Sequence, residues 1–418
     1  MKKRMVTIGL GLILCVSMAA CGNSTSTSSS NASSAAAASP AAATESKSTD
    51  SVDVSSVSPE NSESVSSTSA STGGVITMEK SNADWITQDD INSLDKDQGY
   101  IVGFTDNFDG NTLHQQQEQY FNDLATAMKD AGIISDYTMV VANNDVATQV
   151  QQIESFIMQG CNLIVIDPCS SSGLDGAIEE AYNAGVKVVI FNDGPVSSPY
   201  CTQLNVDCVS NFGYLTDWCC KKLEGKGNVL IVRGIAGQSY DELAYQGITE
   251  AIAKYPDMKI VGEVYGEYNS TTTQTEVASF LAANNEEIDL VCGESGDAYG
   301  AAMAFQAAGR DIPLIYGGNR GEFLNWWMEQ DDYETISGVA TPWFSAAALY
   351  LGIDILDGNE TVPKYMYYPM DLITQDTLSN FKGIADTEVA TTTHDLEWVR
   401  SDLETQDENA CKPEMVKD

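Results

Sequence analysis

From about Gly99 onward the chain alternates short apolar runs with longer stretches whose apolar residues recur at helical spacing. Residues 100–104 read as a strand, and 113–132 as a helix closed by Gly132. Strands at 137–142, 163–166 and 186–191 alternate with helices at 147–160 and 173–185. The run Leu163-Ile164-Val165-Ile166 has no polar break, as expected of a strand buried on both faces of a parallel sheet. This βαβαβαβ order predicts a doubly wound sheet. The pattern then restarts. Helices at 211–223, 240–254, 273–284, 298–308 and 321–330 alternate with strands at 228–232, 260–265, 290–292 and 314–316. Two α/β lobes in tandem are thus an architectural repeat. A helix at 344–356 and an extended stretch at 365–372 return the chain to the first lobe. Past Asp376 the sequence turns acidic and weakly periodic, a short wrap followed by a loose tail. The predicted division is a segment 75–98, an N-terminal lobe of 99–204 with 342–369, a C-terminal lobe of 205–341 with 370–400, and an acidic tail 401–418.

The N-terminus reads as a targeting segment. Lys2, Lys3 and Arg4 precede an apolar run at 6–16 that is too short to span a bilayer comfortably. Met18-Ala19-Ala20-Cys21-Gly22 resembles a bacterial lipobox. The resemblance implies a signal peptide at 1–20 and lipidation of Cys21, anchoring the protein to the outer face of the cell membrane. An ordinary secretory signal cleaved near Ala20 is the alternative. Residues 21–74 are mostly Ser, Thr and Ala with Lys47 as the only basic residue, the composition of a flexible spacer.

Charge excludes some functions. Lys and Arg total 21 against 60 Asp and Glu, a net charge of −39, with no basic cluster beyond the first four residues. Nucleic acid is therefore not an expected partner. His114 and His394 are the only histidines, so His-pair metal motifs and triad chemistry are not expected. Gly293-Glu294-Ser295-Gly296 has the wrong spacing for a nucleophile elbow, and Asp95-Lys96-Asp97-Gln98-Gly99 fails the EF-hand pattern. The expectation is a binder with no catalytic residues, cofactor or metal. Of the eight cysteines beyond Cys21, Cys161, Cys219, Cys220 and Cys292 suit packing, whereas Cys201 and Cys208 are close enough to form a bridge or to remain free.

The residues after the strands suit a polyol. Asn107, Asn111 and His114 follow the first strand, Asp167-Pro168 the third, and Asn192-Asp193 the fourth. In the second lobe Glu267-Tyr268-Asn269, Glu294 and Asn319-Arg320 hold the equivalent places. Amides and carboxylates bond paired hydroxyls, and aromatic rings cover the apolar face of a sugar. Leu163–Pro168, Val188–Asp193, Arg233-Gly234-Ile235-Ala236-Gly237, Cys292–Gly300 and Gly338–Pro342 resemble, in order and spacing, segments of the type I solute-binding proteins of sugar ABC transporters, the ribose-binding-like group. Gly110-Asn111-Thr112-Leu113-His114-Gln115-Gln116 is similar to a first-helix motif of a subgroup that includes galactofuranose binders. The resemblance covers about residues 99–374 and implies two doubly wound lobes joined by a multi-strand hinge at 202–207, 336–342 and 369–373. It also implies a sugar in the cleft, ABC permease subunits as partners, and no catalysis.

Asn107, Asn111, His114, Asn192, Asp193, Glu242, Tyr268, Glu294, Asn319 and Trp343 are the expected ligand contacts. The chain departs from the family pattern in lacking its usual arginines, with Asn192-Asp193, Glu242 and His114 in their places and Arg320 the only nearby guanidinium. That predicts an acidic pocket suited to a sugar, amino sugar or amine, unless Glu242 and Glu294 face solvent. A nucleoside ligand, or a sensor that presents its closed state to a membrane kinase, fits the same fold. On the helix at 321–330, one of Trp326 and Trp327 is expected in the core and the other facing a partner.

Overall fold

The computed structural model describes residues 74–411 except Lys80, Asn82, Asp193, Ser295, Gly296 and Ala340, with backbone alone at Asn192 and Val339. Cys21 and the stretches read as signal and spacer up to residue 73 lie outside the described residues, as does the end of the acidic tail.

The first half contains β1 (Val75–Ile76), α1 (Gln88–Asn92), β2 (Tyr100–Asp106), α2 (Thr112–Asp130), β3 (Ile134–Val141), α3 (Val146–Met158), β4 (Leu163–Ile166), α4 (Asp175–Asn183), β5 (Lys187–Asn192) and β6 (Thr202–Val206). The second contains α5 (Cys208–Lys222), β7 (Lys226–Arg233), α6 (Ser239–Ile252), β8 (Asp257–Tyr265), α7 (Ser270–Ala283), β9 (Leu290–Gly293), α8 (Ala298–Ala307), β10 (Leu314–Tyr316), α9 (Gly321–Met328) and β11 (Ser337–Val339). Then follow α10 (Phe344–Leu356), β12 (Tyr365–Tyr368) and β13 (Asp371–Ile373).

One sheet runs β1-β3-β2-β4-β5-β6-β12, parallel except at β1, and the other runs β10-β9-β7-β8, all parallel. Val102, Phe104 and all of β4 are wholly buried, as the unbroken apolar run requires. Gly103 allows α3 to lie close against β2, since a Cβ there would meet the Phe156 ring at 2.6 Å. Helices α2, α3, α5 and α7 start at Asn111, Asp145, Asp207 and Asn269, whose side chains accept from free backbone N–H groups of the first turn.

The chain passes between the lobes after β6, after β11, after β12, and between Ala390 in the second core and Leu396 in the first. The first three passages fall in the stretches read as a hinge, where β11 and β13 pair antiparallel. Two ends differ from expectation. Segment 75–98 is part of the first lobe: β1 pairs with β3, and Ile91 and Leu94 enter its core. The C-terminal stretch is not loose, because Leu396, Val399 and Leu403 pack into that same core. Arg400 anchors it with two hydrogen bonds to Asp354, at 2.7 and 2.5 Å. Trp326 and Trp327 are both buried in the second core, so neither is a partner-facing ring.

Candidate functional site

Ligands of open parallel sheets bind beyond the carboxyl ends of the strands where strand order reverses. Here the reversals fall between β2 and β4 in the first sheet and between β7 and β9 in the second. Loops from both lobes line a cavity of about 530 Å³. An adjoining recess of about 260 Å³ shares Asn107, Asn144, Gln238 and Tyr240 with it.

At the first reversal, Asp106 and Asn107 leave β2 beside Asp167, which follows β4. The Asn107 amide donates to Asp167 Oδ1 at 3.3 Å. Asn111 faces the cavity and caps α2, accepting from the His114 backbone N–H at 3.1 Å. The His114 ring also lines the cavity; its Nδ1 stands 2.9 Å from Asp106 Oδ1 and 3.6 Å from Asp167 Oδ2. All three side chains are buried. Phe108 sets its ring edge-on to His114. One turn along α2, Glu118 is also buried, and burial together with the Asp106 and Asp109 charges pushes its carboxyl up to about 9.

At the second reversal, Arg233 ends β7. Its Nε and Nη2 donate to Asp241 at 2.9 and 2.5 Å, Nη2 donates to Glu242 at 3.0 Å, and Nε stands 3.7 Å from Glu294 Oε1. The guanidinium lies 4.0 Å over the Tyr245 ring. The Gly234 N–H donates to both Asp241 and Glu294 at 3.0 Å. Burial pushes the Glu294 carboxyl up to about 10, with the neighbouring Asp241 and Asp297 charges adding to it. These contacts correct the acidic-pocket expectation. A guanidinium is present at this strand end, and Glu242 and Glu294 are both held against it.

The expected contacts divide. Asn107, Asn111, His114, Tyr268 and Asn319 line the main cavity, and Glu242 lines the recess. Glu294 lies behind the wall, 2% exposed. Trp343 is a core ring rather than a stacking surface: it is wholly buried among Trp85, Tyr350, Tyr368, His394 and Trp398. Asn192 ends β5; its side chain, and Asp193 altogether, lie outside the described residues. Tyr268 follows Glu267 in a turn where both have φ of +55°, a left-handed pair that side chains other than glycine adopt at a cost. Gly234 leaves room beneath the Tyr268 ring, and Tyr240 packs edge-on against it. Asn319 donates to the Ala390 carbonyl. Cys201 and Cys208 are both buried and form no bridge; burial pushes the Cys201 thiol up to about 12.

Sequence reasoning passed over Phe108, Asn144, Gln238 and Tyr240 as lining residues. Tyr240 could have been found at the predicted start of its helix, next to the Arg233–Gly237 loop. Val206, Phe344 and Val389 also reach the cavity and carry no local signal.

A family model described as a periplasmic binding protein domain matches residues 76–360. The chain belongs to the periplasmic binding proteins. It is 26% identical over 246 residues to the xylitol-binding protein of Mycolicibacterium smegmatis, covering 56% of this chain and 67% of that one. It is 29% identical over 168 residues to the galactofuranose-binding protein of Escherichia coli, covering 38% of this chain and 53% of that one. The crystal structure of an ABC transporter solute binding protein from Thermobispora bispora superposes with a TM-score of 0.67 at 30% identity, covering 76% of this chain and 98% of that one. Periplasmic binding proteins are substrate-binding proteins, not enzymes, which agrees with the absence of catalytic motifs from the sequence. Among the described residues, no helix is long and apolar enough to cross a membrane.

Proposed function

We propose that this periplasmic binding protein captures a neutral sugar or polyol in the 530 Å³ cavity and delivers it to an ABC importer while tethered to the membrane by lipid on Cys21. The observation that carries the reading is the lining of that cavity. Asn107, Asn111, Asn144, Gln238 and Asn319 offer amides to hydroxyls, and the rings of Phe108, Tyr240, Tyr268 and Phe344 offer apolar faces. Asn192 and Asp193 are assigned to the same contact set. The xylitol and galactofuranose relatives support a polyhydroxylated ligand. A neutral ligand is favoured over an amine because Glu242 is ion-paired with Arg233 and Glu294 carries its proton at neutral pH.

Ligand bound to one lobe would draw the other over it about the hinge, with closure driven by the higher affinity of the closed form. Calorimetric titration with pentoses, hexoses, polyols and amino sugars tests this. Binding of a neutral member, weakened roughly tenfold in Tyr268→Ala, is the expected result. Binding of amines alone, or of nothing in the panel, overturns it. Release of Cys21→Ser protein from cell membranes tests the anchor; retention there rejects it.

A further inference from the structure

The first strand-order reversal gathers two buried carboxylates around a buried imidazole. Asp106 leaves the end of β2, Asp167 leaves the end of β4, and His114 reaches both from the first turn of α2. One ligand atom from each falls within 4.8 Å of the others, and all three residues are buried. We propose that Asp106, His114 and Asp167 form a divalent-cation site in the floor of the sugar cleft, for an ion that accepts mixed nitrogen and oxygen ligands, such as zinc or manganese.

The spacing supports this. Two ligands each about 2.1 Å from a shared ion stand roughly 3.0–3.5 Å apart in octahedral or tetrahedral geometry. The His114 Nδ1 distances to Asp106 and Asp167 are 2.9 and 3.6 Å.

An independent observation comes from Glu118. It lies one turn beyond His114 on the same face of α2, only 4% exposed. Among the described residues, its Oε1 has no hydrogen-bond partner. A buried carboxyl oxygen without a partner is costly, and the group interacts electrostatically with both Asp106 and His114. An ion between Asp106, His114 and Asp167 would give it a positive charge to face and would hold the imidazole in a single orientation toward the cleft. The same three residues come from two strands and a helix, so the site exists only in the folded lobe, and bound ion stabilises that lobe by mass action.

This inference is separable from the sugar reading, because its test measures metal alone. The tag-free full chain is stripped with EDTA, desalted, and titrated with manganese chloride, with free ion counted by electron paramagnetic resonance. About one ion per chain is expected, with binding weakened at least tenfold in Asp167→Asn and His114→Gln and unchanged in His394→Gln. No stoichiometric binding, equal binding by His114→Gln, or loss in His394→Gln overturns the proposal. If the His114 variant does not fold, the unaltered protein still decides the matter. With only two histidines in the chain, zinc chloride should shift the nitrogen resonances of one imidazole and leave the other in place. Shifts in neither, or in that of His394, overturn it.

Discussion

The two strand-order reversals solve the same problem with different chemistry. Each brings buried carboxylates to the ends of central strands, where backbone N–H groups and a cleft favour polar side chains. At the second, Arg233 answers Asp241, Glu242 and Glu294 with a charge that persists at any accessible pH. Burial alone would lower its affinity for the proton, but the Asp241 bond and charge hold it above the ordinary arginine value. At the first, the group placed against Asp106 and Asp167 is the imidazole of His114, 2.9 and 3.6 Å away. Equivalent positions in two similar lobes thus differ in their cation: one holds a permanent guanidinium, and the other an imidazole that lines the cavity.

The largest expected effect breaks the second cluster. Arg233→Met strands the Asp241 carboxylate in a dry environment and should cost about 3–5 kcal/mol, read by urea unfolding at pH 7. A loss below about 1 kcal/mol would mean that Arg233 does not hold that reversal together. Next comes the Glu294 proton. Its carboxyl is raised in the folded protein from 4.5 to about 10, so its stabilising contribution is complete below the unfolded value and is lost as pH rises toward the folded one. Glu294→Gln should remove that decline, which at about 1.4 kcal/mol per pH unit amounts to a gain of roughly 4 kcal/mol on the natural chain between pH 6 and 9. Parallel unfolding curves for the two proteins across this range would refute it. His114→Gln, measured in EDTA, keeps a hydrogen bond available to Asp106 and should cost only about 1 kcal/mol. A loss as large as that of Arg233→Met would erase the contrast between the two reversals. Smallest of all, Glu242→Gln removes a half-exposed partner of Arg233 and should change stability by no more than about 0.5 kcal/mol. A larger loss would mean the cluster depends on all three carboxylates.

The lobes themselves were legible in the sequence because period and punctuation are local. The β4 run, the restart after residue 205 and the helix at 344–356 each match their elements closely, and strand-end positions marked Asn107, Asn111, His114, Tyr268 and Asn319 as cavity residues. Leu396, Val399 and Leu403 also stood at helical spacing, yet the acidic residues around them made the stretch read as a tail. What covers them is the first-lobe core, including α10 and β12, and no local pattern announces partners dozens of residues away in the sequence.

Composition and periodicity determined that this chain makes two parallel-sheet lobes with polar strand ends, because those features depend on neighbours three or four residues apart. Only the tertiary structure decided which polar residues meet. Arg233 stands beside Glu294 because β7 and β9 are adjacent in the sheet although 57 to 67 residues apart in sequence. Trp343 is an expected ligand contact in the sequence, but the wrapped C-terminal stretch seals it in with Trp398 and His394. Strand order and burial are properties of the whole packed chain, and the fate of a carboxylate or a ring depends on both.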